Sequence, residues 1–152
     1  MDLNAYLKRI NYKGSLEPSF DTLRALHRAH LLNITYENLD IHLGRSLVLD
    51  EDVIFEKIVR EGRGGWCFEM NGLFAWVLRE LGFEVRLLGG AVNRILRGDE
   101  TKLGHLLLLV NLGKPYLADV GFGNGFLEPL PLSQGSVWQD FLEFQLERLD
   151  ND

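Results

Sequence analysis

At Gly82 the spacing of apolar residues changes, and this change constrains the fold more than any other feature of the 152-residue sequence. Before Gly82, apolar residues recur three and four positions apart, which is typical of helices with one buried face. After it, the apolar segments "FEVRLLGGAVNRI", "HLLLLVN" and "PYLADVGF" are short and bounded by Gly, Asn and Pro, as strands are. The later segment "DFLEFQLERL" could be a strand or a short helix. The sequence therefore predicts an α+β fold, with a helical bundle in residues 1–84 and a mostly antiparallel, barrel-like sheet in residues 85–152.

Four helices are predicted in the first half. Asp2 and Ser19 are placed to cap the first two, and a third begins after Asp50. The fourth begins at Cys67, and Gly82 fits the position just after its end. The residues predicted to face the core on the third helix are Val53, Ile54, Phe55, Ile58 and Val59.

Composition excludes several classes of protein. The chain is 46% hydrophobic and 25% charged with a net charge of −6, so it offers no basic face for nucleic acid. A single cysteine excludes an internal disulfide and a CxxC pair. The N-terminal segment lacks the apolar stretch of a secretory signal, and the longest apolar run, residues 106–110, is too short to cross a bilayer. We expect a soluble, cytoplasmic protein without a membrane partner.

The cysteine lies in "RGGWCFEMNGLF", residues 63–74. Cys67 would occupy the first turn of the fourth helix, where free N–H groups and the helix dipole favour a thiolate. Gly64 and Gly65 allow a tight approach turn and leave the thiol accessible. The pattern indicates a nucleophile, and the alternative is an inert cysteine that packs as a small hydrophobe.

A nucleophilic thiol needs a base, and His105 is the candidate. It opens the most apolar strand, where its ring needs a polar partner, and Asp119 lies within another apolar strand. A hairpin with a three-residue loop or a bulge would put both side chains on one face, whereas a two-residue loop would separate them. Separate pairing of each residue with backbone groups is the alternative.

The other three histidines have simpler interpretations. His27 and His30 share an apolar helix face and could bind a metal only with a third ligand, so core positions are expected. His42 lies in a turn-rich segment and is expected to be exposed. No metal site is predicted.

Two further features have a structural alternative. The segment "GFGNG" (residues 121–125) is not a dinucleotide fingerprint, because no helix follows it, but it could form a backbone nest for an anion or a plain turn. The aromatic residues Tyr36, Trp66 and Phe122 could line a pocket for a flat ligand or pack in the core.

The segments "RGGWCFEMNGLF", "GHLLLLV" and "YLADVGFG", in this order and spacing, resemble the arylamine N-acetyltransferase family. The segment "ITYENLDIHLG" is similar to another stretch of the family, so the resemblance covers essentially the whole chain. It implies a Cys-His-Asp triad of Cys67, His105 and Asp119 on a cysteine-protease-like core. It also implies a helical bundle, a β-barrel and a C-terminal α/β lid. Relatives continue beyond Asp152, so the resemblance implies a truncated chain with an incomplete barrel.

The activity implied by the resemblance is acetyl transfer from acetyl-coenzyme A to an arylamine, arylhydrazine or arylhydroxylamine. The family uses an acetyl-cysteine intermediate with ping-pong kinetics and needs no metal. Arg63 and Glu37 match an ion pair of the family. The residues implied at the acceptor pocket are Phe122, Val92, Tyr36 (where relatives usually have Phe) and Gly104 (where they usually have Thr). The candidate coenzyme contacts are Gly121, Gly123 and Asn124.

Two other functions remain open. A thiol peptidase or transglutaminase-like enzyme uses the same three residue types on a peptide or glutamine amide, and a non-enzymatic truncated remnant would keep the triad without turnover. An incomplete barrel also predicts open strand edges through which the chain could self-associate. The apolar residues of the final segment add to this expectation: Phe141, Leu142, Phe144, Leu146 and Leu149.

Overall fold

A computed structural model describes residues 1–148, so Leu149 and the end of the predicted second subdomain lie outside the described residues. The helices are α1 (Leu3–Arg9), α2 (Phe20–Asn33), α3 (Leu39–His42), α4 (Glu51–Phe55), α5 (Cys67–Glu80) and α6 (Arg94–Arg97). A π-helical turn (Glu56–Arg60) continues α4, and a 3₁₀ turn (Asp99–Thr101) follows α6. The strands are β1 (Glu84–Gly90), β2 (His105–Asn111), β3 (Pro115–Ala118), β4 (Leu130–Pro131), β5 (Gly135–Gln139) and β6 (Leu142–Leu146).

The long helices begin and end where the sequence predicts. The carboxylate of Asp2 accepts a hydrogen bond from the N–H of Ala5, and the hydroxyl of Ser19 accepts one from Thr22. Helix α5 is followed by Gly82 at φ +85°, a left-handed conformation that favours glycine. Side-chain oxygens and a glycine therefore set these boundaries.

The third predicted helix is correct in position but wrong at Val53, which is half exposed. Ile54 and Ile58 are four residues apart, as are Phe55 and Val59, and these four side chains are buried. Residues four apart share one helix face, so the two pairs define the buried stripe and Val53 lies at its edge.

Arg9 ties the helical part together. Its guanidinium donates hydrogen bonds to the carbonyls of Asn33 (2.5 Å) and Ile58 (3.1 Å). It also donates to those of Gly62 (3.2 Å) and Arg63 (3.4 Å). One side chain thus satisfies carbonyls at the end of α2, in the π-helical turn and in the loop that leads to Cys67.

The core forms around α5, which packs on the sheet and on α4. Its buried side chains include Met70, Phe74 and Leu78, and those of the sheet include Leu108 and Val110. Because α5 is apolar on most of its circumference, it lies between the other helices and the sheet. Its first turn therefore lies where the two parts of the chain meet.

The described strands form two antiparallel sheets. One has the order β1-β2-β3-β4 and the other is the β5-β6 hairpin. The α+β prediction is confirmed, with an open sheet and no closed barrel in residues 1–148, and the last segment is a strand. Within these residues β1 pairs only with β2, so one edge of β1 has no partner strand. Self-association through such an edge, and the division at residue 84, stay predictions.

No helix in the described part of the chain combines the length and apolar character needed to cross a membrane.

Candidate active site

Cys67 is the first residue of α5 and is 7% exposed. The glycines before it serve a close backbone approach. A Cβ at Gly64 would lie 2.0 Å from the carbonyl oxygen of Thr35. Gly65 forms an isolated parallel bridge with Tyr36, in which the N–H of Glu37 donates to its carbonyl (2.9 Å). The two glycines therefore fix the loop against residues 35–37, while the thiol itself is buried.

Ion pairs hold the loop and the start of α5. Lys57 Nζ lies 2.9 and 2.8 Å from the two carboxylate oxygens of Glu69, and 3.0 Å from Asp40 Oδ2. Arg63 pairs with Asp40 (2.9 Å) and contacts Glu37. Hydrogen bonds from Arg63 and then Lys57 hold the pKa of Asp40 well below its usual value. The Arg63–Glu37 pair implied by the family resemblance is thus part of a larger network.

The hairpin loop brings His105 and Asp119 together. Asn111 pairs with Pro115, which leaves a three-residue loop with Gly113 at φ +76°. Both side chains lie on one face, and His105 Nε2 is 2.6 Å from Asp119 Oδ2. Of the alternatives open at the sequence level, the three-residue loop is the one observed.

Asp119 has a further set of partners. Its Oδ1 accepts hydrogen bonds from Asn71 Nδ2 (2.8 Å) and from the N–H of Gly121 (2.9 Å). Asn71 Nδ2 also donates to the carbonyl of Leu106 (2.7 Å), and its Oδ1 accepts from the N–H of Val120 (2.9 Å). Both carboxylate oxygens of Asp119 are therefore hydrogen-bonded, and its orientation is fixed.

The environment of His105 favours its charged form. Burial lowers the pKa, but hydrogen bonds to Asp119 and Cys67, together with the charges of these residues, outweigh burial and raise it to about 9. His105 therefore bonds Asp119 through Nε2, and Cys67 is near enough to contribute to the raised pKa of the ring. A histidine that is bonded to a buried carboxylate and lies near a cysteine is an arrangement that can accept a proton from a thiol.

A cavity of about 410 Å³ opens beside this arrangement. Val92 and Phe122 line it together with His105 and Asp119, and Asn124 also contributes. The ring of Phe122 packs edge-on to that of His105, with centroids 5.4 Å apart. Phe126 and Phe144 add further aromatic surface to its lining. The cavity can accept a flat, mostly apolar group next to the imidazole.

Tyr36 lies at a second cavity of about 300 Å³, which Met70 and Gly123 also line. Its backbone bridge to Gly65 directs its ring toward Gly123. Burial, and then the charge of Cys67, raise the pKa of Tyr36. Tyr36 therefore lines a different cavity from Val92 and Phe122.

Gly104 and Gly121 lie outside the two linings given above. Gly104 is exposed just before β2, and its N–H donates to the carbonyl of Thr101 (3.1 Å). A Cβ at Gly121 would lie 2.6 Å from the Cα of Cys67, so this residue packs directly on α5. The N–H of Gly121 donates a hydrogen bond to Asp119, so this amide helps to fix the Asp119 carboxylate.

The other histidines do not form a metal site. His27 and His30 are fully buried core residues, and His42 is exposed. In residues 1–148 no group of three or more His, Cys, Asp or Glu side chains is placed to hold a metal ion.

Sequence reasoning missed two residues that contact Asp119. Asn71 is four residues after Cys67, so it lies on the same helix face, and a buried amide on an apolar face could have indicated a role. His27 accepts a hydrogen bond from the backbone N–H of Asp119, 92 residues away. No local pattern could have indicated that partner.

A family model described as N-acetyltransferase matches residues 19–150, which is most of the chain. Similar proteins are named arylamine N-acetyltransferases. The chain belongs to the arylamine N-acetyltransferase family. The sequence-based recognition is confirmed.

Two relatives and two solved structures place the chain within the family. It is 49% identical over 125 residues to the arylamine N-acetyltransferase of Escherichia coli (strain K12), and the aligned region covers 80% of this chain and 43% of that protein. It is 41% identical over 140 residues to arylamine N-acetyltransferase 1 of Bos taurus, which covers 89% and 48%. The Mycobacterium marinum enzyme structure matches with a TM-score of 0.88 and 41% identity over 98% of this chain and 58% of that one. The same enzyme in complex with CoA matches with a TM-score of 0.90 and 39% identity over 99% and 58%.

The chain spans about half the length of the curated family members it matches. The matched half includes Cys67, His105 and Asp119.

Proposed function

We propose that this protein transfers an acetyl group from acetyl-coenzyme A to an arylamine, arylhydrazine or arylhydroxylamine through an acetyl-cysteine at Cys67. The observation that carries the proposal is the 2.6 Å contact between His105 and Asp119 close to Cys67, the first residue of α5. Family membership supports acetyl transfer, and the M. marinum structure described as a complex with CoA supports the coenzyme as co-substrate.

In the first half-reaction, His105 takes the thiol proton of Cys67. Asp119 stabilises the resulting imidazolium, and the raised pKa of His105 favours that state at neutral pH. The sulfur attacks the thioester carbonyl carbon, and a new carbon–sulfur bond forms. The bond to the coenzyme sulfur then breaks, and His105 returns the proton to the departing coenzyme A thiolate.

In the second half-reaction, the acceptor nitrogen attacks the acetyl carbon on Cys67. His105 takes the proton from the nitrogen, and the Cys67 thiolate leaves. Backbone N–H groups in the first turn of α5 are the candidate donors to the oxyanion in both steps, because they have no partner within the helix. The reaction leaves the enzyme in its starting state, as ping-pong kinetics require.

The acceptor is proposed to bind in the 410 Å³ cavity beside His105. Val92 and Phe122 contribute apolar and aromatic surface there, next to the imidazole that must take the acceptor proton. Coenzyme contacts at Gly123 and Asn124 are part of the proposal, with Asn124 on the same cavity.

The test separates the half-reactions. Incubation with acetyl-coenzyme A should increase the mass of the protein by one acetyl group, located at Cys67 by peptide mass spectrometry. Addition of aniline should discharge the label and release acetanilide. The control variants are Cys67→Ser, which should take no thioester label, and His105→Gln, which should take it far more slowly.

Iodoacetamide labelling of the same samples distinguishes a damaged site from the wrong reaction. A thiol that alkylates rapidly at pH ~7 but takes no acetyl label refutes acetyl transfer by this chain. Release of a fluorescent amine from a peptide substrate by that sample would instead identify a thiol peptidase. A thiol with neither reaction would identify a non-enzymatic protein.

A further inference from the structure

His27 of α2 connects two distant segments of the site with one buried ring. Its Nε2 lies 3.1 Å from the backbone nitrogen of Asp119, and its Nδ1 lies 2.9 Å from the carbonyl oxygen of Leu127. A backbone N–H can only donate and a carbonyl can only accept. The two contacts therefore specify one neutral tautomer, with the proton on Nδ1 and the lone pair on Nε2.

The ring is uncharged at neutral pH. Burial lowers the pKa of His27 to about 4, although the Leu127 carbonyl and Asp119 act in the opposite direction. His27 therefore cannot act on the thiol through charge, and its effect on the site must be geometric.

Asp119 needs such a contact because it lies just after the end of β3 at Ala118. Its backbone N–H lies beyond the strand and donates a hydrogen bond to His27. Its carboxylate is hydrogen-bonded to His105, Asn71 and Gly121. The backbone and the side chain of Asp119 are thus held by separate partners, and the side chain makes the 2.6 Å contact with His105.

The same ring supports a wall of the cavity. It stacks on Phe126 with centroids 5.7 Å apart and an interplanar angle of 11°. Phe126 lines the 410 Å³ cavity and packs edge-on to Phe144. The bond from His27 to Leu127, the residue after Phe126, holds that segment in place.

We infer that His27 is a positioning residue, which fixes the backbone of Asp119 so that its carboxylate orients and stabilises His105. The inference rests on the proposed role of the Cys67–His105–Asp119 series.

The test compares three variants. His27→Phe keeps an aromatic ring and removes both hydrogen bonds, whereas His27→Gln keeps an acceptor and a donor. His30→Phe is the matched control, because His30 is equally buried on the same helix and also packs edge-on to Phe74, but it bonds Tyr6.

The readout is the rate of Cys67 alkylation by iodoacetamide as a function of pH. It requires no acetyl donor, and each variant leaves His105, Asp119 and Tyr36 in the sequence. Loss of the contact between Asp119 and His105 lowers the pKa of His105, so less imidazolium is present to stabilise the thiolate. Cys67 in His27→Phe should therefore be alkylated roughly tenfold more slowly at pH ~6. His27→Gln should recover most of that loss, and His30→Phe should keep the wild-type profile.

Three results would overturn the inference: a wild-type profile in His27→Phe, an equal loss in His30→Phe, or no recovery in His27→Gln. A wild-type thiol that alkylates like free cysteine would refute the proposed function and this inference together. An activated wild-type thiol with an unchanged His27→Phe profile would refute this inference alone.

A measurement on the wild-type protein decides the matter if His27→Phe does not fold. Side-chain nitrogen NMR should show His27 as the neutral Nδ1–H tautomer from pH ~8 to pH ~5, as the two backbone contacts require. An Nε2–H tautomer would place a donor against the N–H of Asp119 and refute the inference.

Discussion

Replacement of His30 should make the protein less sensitive to acid. Its ring is fully buried; Nδ1 contacts the Tyr6 hydroxyl at 2.7 Å, and Nε2 has no hydrogen-bond partner among the described residues. Burial, followed by the charges of His27 and Arg9, lowers the pKa of His30 to about 3 from an ordinary value of 6.5. In the imidazolium both ring nitrogens carry a proton, and the one on Nε2 would have no acceptor among the described residues. The folded state therefore disfavours the charged ring.

The sign follows from where protons bind. Below pH ~6.5 the unfolded chain takes up a proton at His30 while the folded chain does not, so acid stabilises the unfolded state. Between pH ~6.5 and pH ~4.5, this one group should lower the free energy of unfolding by roughly 2 kcal/mol. That loss is a substantial part of the 5–15 kcal/mol typical of a domain.

The assay is urea unfolding of the wild type and His30→Gln over that pH range. Glutamine is neutral at every pH and can still bond the Tyr6 hydroxyl, so the variant should lose roughly 2 kcal/mol less than the wild type on acidification. The control is His42→Gln, which removes an exposed histidine. Both proteins contain the same carboxylates, so the destabilisation caused by protonating them in acid cancels in the comparison. Parallel pH profiles for the wild type and His30→Gln would therefore refute the reasoning, whatever their absolute stabilities.

Two further predictions concern packing and hydrogen bonding. Gly121→Ala should destabilise the protein by about 2 kcal/mol or more, because its Cβ would meet the backbone of Cys67. Gly72→Ala should stabilise it by up to about 1 kcal/mol, because that Cβ would meet no described heavy atom within 4 Å outside its own helix turn. Urea unfolding measures both variants, and equal changes in the free energy of unfolding would contradict the packing argument. Arg9→Ala should cost about 2 kcal/mol, chiefly by removing the partly buried hydrogen bonds to the carbonyls of Ile58 and Arg63, whereas the exposed Lys8→Ala should change stability by less than about 0.5 kcal/mol. A thermal melt of Arg9→Ala that matches Lys8→Ala would count against the role of Arg9.

The sequence predicted those features that depend on short-range patterns. Helix starts at Asp2 and Ser19 and the end of α5 at Gly82 follow from capping chemistry, and the structure confirms them. The four-residue helices α3 and α6 were not predicted, because one helical turn contains too few residues to show a period.

The candidate site was predictable only in part. Local chemistry indicated Cys67, His105 and Asp119, but whether the last two meet depended on one residue in the length of a hairpin loop. The contact between His27 and Asp119 depends on how α2 packs against the end of β3, which no local pattern encodes. The placement of Tyr36 on a separate cavity likewise follows from its backbone bridge to a distant glycine.

Asn71 has a consequence for how the molecule assembles. Its side chain joins α5 to Leu106, Asp119 and Val120, which are 35 to 49 residues further along the chain. Helix α5 can form from contacts within itself, whereas these bonds require the closed hairpin to dock on the helix. If the proposed pairing with His105 and Asp119 activates Cys67, activation must follow docking and cannot occur when α5 alone has formed. The rate of Cys67 alkylation at low pH would then report when the hairpin docks on α5, whereas circular dichroism reports when the helices form. Refolding followed by both probes would separate the two events in time.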